Sequence, residues 1–200
     1  MSASAATAGR IGPNAITRVA EVLPVHAGRI VAEQVFARAG LLEHWRHPPE
    51  AMVDETEVAR LHATLRETLG EREAARVARA AGTRTGDYLL AHRIPKPVQW
   101  LLKRLPAALA ARVLLAAITK HAWTFAGSGT FSATPGRPVR VQIRNNPLCR
   151  GLVSDEPACD FYAATFERLF RVLVHPDTQV VETACEACGD DACRFEIRWL

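Results

Sequence analysis

Residues 178–199 read Thr178-Gln-Val-Val-Glu-Thr-Ala-Cys185-Glu-Ala-Cys188-Gly-Asp-Asp-Ala-Cys193-Arg-Phe-Glu-Ile-Arg-Trp199, and this stretch decides the fold class. Its first seven residues predict a strand. From Cys193 onward, apolar residues alternate with charged ones, which is typical of a half-buried strand. Since a short connection joins the two strands, the stretch predicts an antiparallel hairpin with the cysteines at its turn.

The preceding residues extend this pattern. Val139, Val141 and Ile143 alternate with polar residues and predict another strand. A helix is expected over residues 158–174, between that strand and the hairpin. The Gly-, Ser- and Thr-rich segment around Trp123, Phe125 and Phe131 also suits a strand.

Residues 11–119 show helical periodicity instead. Helices are expected over residues 27–39, over residues 55–69 with Asp54 as the N-cap, and over residues 71–90. Another is expected over residues 98–119, with Leu101, Leu105, Leu109 and Leu115 facing inward. The class is therefore α+β, with N-terminal helices packed on a C-terminal antiparallel sheet. The division predicted is a disordered segment over 1–10, a helical region over 11–119 and a sheet-containing domain over 120–200.

Charge and composition exclude several classes of protein. The chain has 25 Lys and Arg against 21 Asp and Glu, with no run of five basic residues, so nucleic acid is not expected as a partner. No stretch of 18 uncharged apolar residues occurs, so no membrane span is expected. The first ten residues lack the apolar part of a signal peptide. The five cysteines are therefore expected in the reducing cytoplasm, where metal binding is a better use for a cluster than disulfides.

The cysteine cluster predicts a metal site. Cys185-x-x-Cys188-Gly is typical of a knuckle whose two thiolates converge on one ion, and Cys193 follows closely. A structural zinc site needs a fourth ligand, which Glu182 or Cys159 could supply. Reduced cysteines without metal, a redox pair and an iron–sulfur cluster are the alternatives. Cys149 is expected to be a buried small residue or a pocket-lining thiol.

Residues 120–200 resemble the 4-vinyl reductase domain, through Asn146-Pro-Leu148, Pro157-Ala-Cys159 at a helix start, Glu182-x-x-Cys185 and Cys193-Arg-Phe195. The resemblance implies a fold like that of trafficking-complex subunits. In related sensor domains of phenol-responsive regulators, zinc is held by a Cys at the helix start, a Glu and two Cys of the last hairpin. Carried over, these are Cys159, Glu182, Cys185 and Cys193, with Cys188 as a fifth candidate.

The N-terminal half extends the resemblance over nearly the whole chain. Ile11-Gly-Pro-Asn-Ala-Ile16, Arg84-Thr-Gly-Asp-Tyr-Leu89, His92-Arg-Ile-Pro95 and Asn146-Pro-Leu-Cys-Arg150 are similar to the bacteriochlorophyll 4-vinyl reductase family. The resemblance implies action where the ring-B vinyl of a divinyl porphyrin or chlorophyllide is reduced. It also implies a homodimer, other bacteriochlorophyll biosynthesis enzymes as partners, and a location peripheral to the photosynthetic membrane.

The residues favour a carrier over a catalytic reductase. No G-x-G-x-x-G follows a strand and no Walker loop occurs; Gly127-Ser128-Gly129 is too short to replace them. NADPH is therefore expected as a cofactor only if the chain itself performs the reduction, and no catalytic residue is assigned. A carrier would bind the magnesium porphyrin and present it to another enzyme.

Several residues are candidates for binding the tetrapyrrole, although for each an ordinary structural role is the default. His92 and His121 could ligate magnesium, and Trp123 or Phe131 could stack on the ring. Guanidinium groups match carboxylates, and the candidates for this role are Arg84, Arg93 and Arg150.

Two other functions compete with tetrapyrrole handling. A small-molecule sensing module would bind an aromatic ligand and predicts a linked output domain, which does not follow Leu200. A scaffold subunit predicts a large dimer face and no polar pocket. The helix expected over 98–119 could lie at a membrane surface, but a buried core helix is the favoured interpretation.

Overall fold

The structure is a computed structural model that describes residues 9–200. The disorder predicted for residues 1–10 lies outside the described residues up to residue 8. The helices are α1 Asn14–Ala27, α2 Arg29–Arg38, α3 Leu42–Arg46, α4 Glu55–Leu69, α5 Glu71–His92, α6 Lys96–Leu102, α7 Ala107–Lys120, α8 Trp123–Ala126 and α9 Asp160–Leu173. The strands are β1 Arg10–Ile11, β2 Val53–Asp54, β3 Thr130–Thr134, β4 Val139–Arg144, β5 Gln179–Ala184 and β6 Cys193–Arg198.

The C-terminal sheet has the order β3-β4-β6-β5, and all its pairs are antiparallel. Val141 pairs with Phe195 and Ile143 with Cys193, so the buried faces of β4 and β6 coincide. Helix α9 covers this face, where Phe166 meets Phe195 with ring centroids 5.7 Å apart. The α+β class predicted from the sequence is confirmed, with the hairpin formed by β5 and β6.

Helix α5 is the central element of the helical half, because it packs against both α1 and α9. Its contact with α9 depends on Gly82: a Cβ at this position would lie 2.2 Å from the carbonyl oxygen of Phe161. Across the same contact, Thr165 Oγ1 donates a hydrogen bond to Gly82 O at 3.1 Å. The absence of a side chain at residue 82 thus allows the two backbones to approach closely.

Helix α4 begins where the sequence predicted. Asp54 is its N-cap, and the Asp54 carboxylate accepts hydrogen bonds from Thr56 N at 2.8 Å and Thr56 Oγ1 at 2.7 Å. These two hydrogen bonds lower the pKa of Asp54. Asp54 also pairs with Arg10 in a short two-stranded ribbon, β1 with β2, that the sequence did not predict. Arg10 is thereby ordered, which corrects the predicted end of the disordered segment.

The long helix predicted over residues 98–119 is wrong, because the chain forms α6 and α7 there with a break before Pro106. Proline lacks the amide hydrogen that a helix interior needs, and it disfavours helical geometry in the residue before it. Leu115 faces inward as predicted and Leu105 is partly buried, but Leu101 is 51% exposed and Leu109 is 45% exposed. Within residues 9–200, no helix is long and apolar enough to cross a membrane.

The strand predicted around Trp123 and Phe125 is also wrong, because residues 123–126 form the short helix α8. Gly127 ends this helix with a φ of 57°, in the left-handed region that favours glycine. The predicted strand therefore starts later, at Thr130, and includes Phe131.

Candidate metal centre

Four buried cysteines meet where the last hairpin, the start of α9 and the loop after β4 come together. Cys149 ends a 3₁₀ turn, Cys159 is the N-cap of α9, Cys185 follows β5 and Cys193 begins β6. Cys149 Sγ lies 3.2, 3.6 and 3.5 Å from the sulfur atoms of Cys159, Cys185 and Cys193. The other three sulfur–sulfur distances are 3.5–4.0 Å. The four atoms thus form a tetrahedron, and all four thiols are free.

These distances fit a tetrahedral metal ion. Zinc binds thiolate sulfur at about 2.3 Å, and four such ligands at tetrahedral angles lie about 3.8 Å from one another. The observed tetrahedron has edges of 3.2–4.0 Å, close to that value. The donor set, four cysteine sulfurs, is one that structural zinc sites use.

Polar hydrogens point at the sulfur atoms from the surrounding chain. Asn146 Nδ2 donates to Cys159 Sγ at 3.1 Å and to Cys193 Sγ at 3.2 Å. The amides of Ala158 and Glu186 donate to the sulfurs of Cys185 and Cys193, each at 3.4 Å. Hydrogen bonds of this kind stabilise thiolate charge and orient metal ligands.

Glu186 holds the loop that carries Asn146. Its carboxylate accepts hydrogen bonds from Asn145 N at 2.6 Å and from Asn146 N at 2.7 Å. Asn145 has a φ of 53°, a left-handed conformation that asparagine tolerates better than most residues. The Asn146 side-chain oxygen caps the following turn by accepting from Leu148 N at 3.0 Å. The loop sequence thus orients both the Asn146 amide and the Cys149 thiol.

The four thiols differ in acidity because they share protons. Hydrogen bonds from the Cys149, Cys159 and Cys193 thiols lower the pKa of Cys185. Burial raises the pKa of Cys159, since a second buried thiolate would face the first. A divalent cation among the sulfurs would compensate this repulsion and allow all four thiols to ionise.

Glu182 lies beside the cluster. Its Oε2 accepts from Cys159 N at 2.8 Å, while its Oε1 is buried and has no hydrogen-bond partner among residues 9–200. Burial, followed by repulsion from Cys185, raises the pKa of Glu182 to about 9. An unpaired buried carboxyl oxygen next to thiolates is a further group that a cation would stabilise, so Glu182 stays an alternative ligand.

The structure brings together three of the five ligand candidates taken from the sequence, Cys159, Cys185 and Cys193. Cys188 is exposed and lies outside the cluster, because the chain turns at Gly189 with a φ of 93°. Cys149 takes the fourth corner, and sequence reasoning did not count it as a ligand. The only available signal was the Asn146-Pro147 turn start, which fixes how the Cys149 side chain leaves the loop.

The structure does not bring the proposed substrate-binding residues into one site. Arg84 and His92 are exposed on α5, and the His92 ring contacts Tyr88 with centroids 4.8 Å apart. His121 and Trp123 are exposed near the end of α7, where Trp123 is 62% exposed.

Arg150 serves a structural contact. Its guanidinium forms an ion pair with Glu55, whose side chain is buried. The Glu55 carboxylate also accepts from Ser128 N and Ser128 Oγ, each at 2.7 Å. Burial opposes ionisation of Glu55, but these hydrogen bonds and Arg150 together lower its pKa. Arg150 thus joins the loop after β4 to α4.

An open groove lies between α7 and β3. Its volume is about 450 Å³, and its lining is mostly apolar with two cations: Arg112, Leu115, Ala116, Thr119, Lys120, Ala133 and Pro135. A second cleft, of about 470 Å³, lies at α1 to α3 and includes Glu21 and Arg29. The α7–β3 groove has no acidic residue in its lining and therefore suits a planar apolar ligand with carboxylate groups better.

Comparison with known proteins first defines the class. The profile of the 4-vinyl reductase domain matches residues 139–199, which contain β4, α9, β5, β6 and the four-cysteine cluster. The whole fold is similar to that of an H-NOX protein from K. algicida, with a TM-score of 0.61, 10% identity and coverage of 94% of this chain and 96% of that chain. The chain thus contains a 4-vinyl reductase domain within an H-NOX-like overall fold.

The family follows from two relatives. The bacteriochlorophyll synthase 23 kDa chain of Cereibacter sphaeroides is 50% identical over 192 residues, which cover 96% of this chain and 92% of that protein. Its counterpart from Rhodobacter capsulatus is 42% identical over 187 residues, covering 93% and 85%. The protein belongs to this family of bacteriochlorophyll synthase 23 kDa chains. The resemblance found in the sequence is thereby confirmed.

Proposed function

We propose that this chain binds a tetrapyrrole intermediate of bacteriochlorophyll biosynthesis, at the step where the ring-B vinyl of a divinyl magnesium porphyrin or chlorophyllide is reduced. The observation that carries the proposal is family membership: the relatives share up to 50% identity over nearly the whole length and are named as chains of bacteriochlorophyll synthase. The role in bacteriochlorophyll biosynthesis rests on that relationship. The particular step rests on the resemblance in the sequence.

The chain's own residues support a carrier more than a reductase. The Gly127-Ser128-Gly129 turn faces the protein's own carboxylate, since a Cβ at Gly127 would lie 2.1 Å from Glu55 Oε2. Ser128 N, which a phosphate-binding loop would direct at its ligand, donates to the same carboxylate. This turn therefore offers no cradle for a dinucleotide. NADPH would enter only if the chain catalyses the reduction itself.

We place the tetrapyrrole in the α7–β3 groove. Leu115 and Ala133 would contact the ring, and Arg112 and Lys120 would pair with its carboxylates. His121 directly follows α7 and is the histidine best placed to reach a bound magnesium.

We further propose that the four-cysteine cluster holds a structural zinc ion, bound by Cys149, Cys159, Cys185 and Cys193, with Glu182 as the alternative to one thiolate. Zinc would supply charge compensation and a rigid joint rather than redox chemistry. The joint connects β5, β6, the start of α9 and the loop after β4. It would thereby fix the sheet edge on which the helices pack.

The proposal includes a homodimer located in the cytoplasm at the periphery of the photosynthetic membrane, in contact with other enzymes of the pathway. Light scattering of the purified chain measures the dimer directly, with about 44 kDa expected from the 21.9 kDa chain mass.

Titration with magnesium protoporphyrin tests the proposed binding. The wild-type chain should red-shift the pigment absorption and saturate at one pigment per chain. Arg112→Glu combined with Lys120→Glu should weaken binding by at least about tenfold, because each change places a carboxylate where the pigment carboxylates bind. Lys96→Glu combined with Lys103→Glu is the matched control, with the same charge change on α6 and the residue after it.

Two results would overturn parts of the proposal. Absence of any spectral change with magnesium porphyrins would remove the binding function. Turnover of a divinyl substrate by the purified chain with NADPH would remove the carrier form and establish a reductase.

A further inference from the structure

Helices α6 and α7 carry an exposed apolar surface. Eleven large hydrophobic residues of the described chain are exposed, and five of them lie between Lys96 and Val113: Val98, Trp100, Leu101, Leu109 and Val113. Trp100 is 59% exposed, and the guanidinium of Arg104 lies 3.7 Å from the centre of its ring. Leu109 and Val113 are one helical turn apart and share the outer face of α7. This concentration is unusual for a surface that faces only water.

The same segment is strongly cationic and contains no acid. Residues 88–154 include no Asp or Glu but ten of the 25 Lys and Arg residues. Six of these cations surround the apolar surface, and within residues 9–200 none of the six forms a salt bridge: Arg93, Lys96, Lys103, Arg104, Arg112 and Lys120. Outside residues 88–154, the remaining 15 Lys and Arg are outnumbered by 21 Asp and Glu, so this segment accounts for the positive net charge.

We propose that α6, α7 and the loop between them form a docking surface for an anionic lipid bilayer, here called the α6–α7 face and comprising residues 96–113 with the six cations. Trp100, Leu101, Leu109 and Val113 enter the interfacial region, and the lysine and arginine side chains contact lipid phosphates. The stacked Trp100–Arg104 pair combines both contacts at one point of the surface.

Charge complementarity favours lipid over a protein partner. A protein surface presents both signs of charge, and its recognition would use acidic as well as basic residues. An anionic bilayer presents one sign over its whole area, so any acidic residue on the docking face would oppose binding. The acid-free segment matches that requirement. The inference rests on the part of the proposed function that places the chain at a membrane, and it is independent of pigment binding.

Co-sedimentation with vesicles tests the face. We expect the wild-type chain to bind vesicles of phosphatidylcholine with about 40% phosphatidylglycerol, and to bind pure phosphatidylcholine at least about tenfold more weakly. Lys96→Glu combined with Lys103→Glu should reduce binding to the anionic vesicles by about thirtyfold or more, because two attractive charges become repulsive. Trp100→Ala combined with Leu101→Ala should also reduce it. Val25→Ser combined with Ile30→Ser is the matched control, since both residues are exposed apolar residues away from this face.

The outcomes separate the two proposals. If the Lys96 and Lys103 variant loses vesicle binding and keeps pigment binding, the docking face is supported. If the wild type ignores anionic vesicles, or binds neutral and anionic vesicles equally, the face is not a lipid surface. Equal loss in the Val25 and Ile30 variant would likewise overturn the assignment, as would capture of a pathway enzyme through this face without any vesicle binding.

Discussion

His62 gives the structure a measurable dependence on pH. The side chain is 5% exposed, and its Nε2–H donates to the carbonyl oxygen of Ala15 at 3.3 Å. Its ring meets the Phe161 ring edge-on with centroids 5.7 Å apart, so the imidazole lies between α1, α4 and α9. Burial, assisted by the nearby positive charge of Arg66, lowers the pKa of His62 from 6.5 to about 4.

The sign and size follow from proton linkage. Because the folded-state pKa is depressed, the unfolded chain takes up a proton below about pH 6.5 that the folded chain refuses until about pH 4. Stability is therefore lost as the pH falls through this window. The loss amounts to about 2 kcal/mol at pH 5 and approaches about 3 kcal/mol at still lower pH. For a domain of this size, that is a substantial share of the free energy of unfolding.

Denaturant unfolding of the wild type and His62→Gln at several pH values measures the effect. Glutamine keeps a donor for Ala15 O but does not titrate, so the wild type should lose about 2 kcal/mol more than the variant between pH 8 and pH 5. Other acid-sensitive groups, including the cysteine cluster, cancel in the difference. His121→Gln, an exposed change, should follow the wild type. A constant difference between wild type and His62→Gln across this range would refute the burial of a neutral imidazole.

Three further changes test other parts of the structure. Gly82→Ala should lower the free energy of unfolding by about 1–3 kcal/mol, although alanine favours helices, because the added Cβ meets the Phe161 carbonyl; thermal unfolding checks this, and a stabilised variant would contradict the close α5–α9 contact. Glu55→Gln should cost about 2–4 kcal/mol by chemical denaturation, since it leaves Arg150 without its buried partner, and an unchanged midpoint would argue against that ion pair. Asn146→Asp should weaken zinc affinity by about 10–100-fold in a chelator competition, because it replaces the amide that donates to two sulfurs with an anion; unaltered affinity would exclude this role.

Local signals in the sequence carried much of the fold. Alternation over residues 139–144 gave β4 with its observed bounds, and Asp54 marked the start of α4 because a cap is a contact between neighbours in the chain. The long helix over 98–119 failed because its hydrophobic periodicity was followed across Pro106. The prediction that Leu101 and Leu109 face inward assumed that apolar residues are buried. On this segment they are exposed beside unpaired cations.

The candidate site was predictable only in part. Three cysteines of the cluster could be assigned because they belong to recognisable local patterns in the hairpin and at a helix start. Cys149 could not, because its place at the fourth corner depends on how the loop after β4 folds back onto α9. Cys188 misled for the opposite reason: its spacing from Cys185 suits a knuckle, but the turn at Gly189 leaves the side chain exposed. Spacing in the sequence therefore predicted the kind of site better than its membership.

Zinc content of purified variants tests the central claim about the cysteine cluster most directly. Elemental analysis of the wild-type chain should find one zinc per chain, and Cys188→Ser should retain it in full. Cys149→Ser should lose most of the zinc and unfold at a lower temperature, because one corner of the sulfur tetrahedron is removed. Full zinc retention in Cys149→Ser with loss in Cys188→Ser, or wild-type protein without any bound metal, would contradict the four-thiolate site.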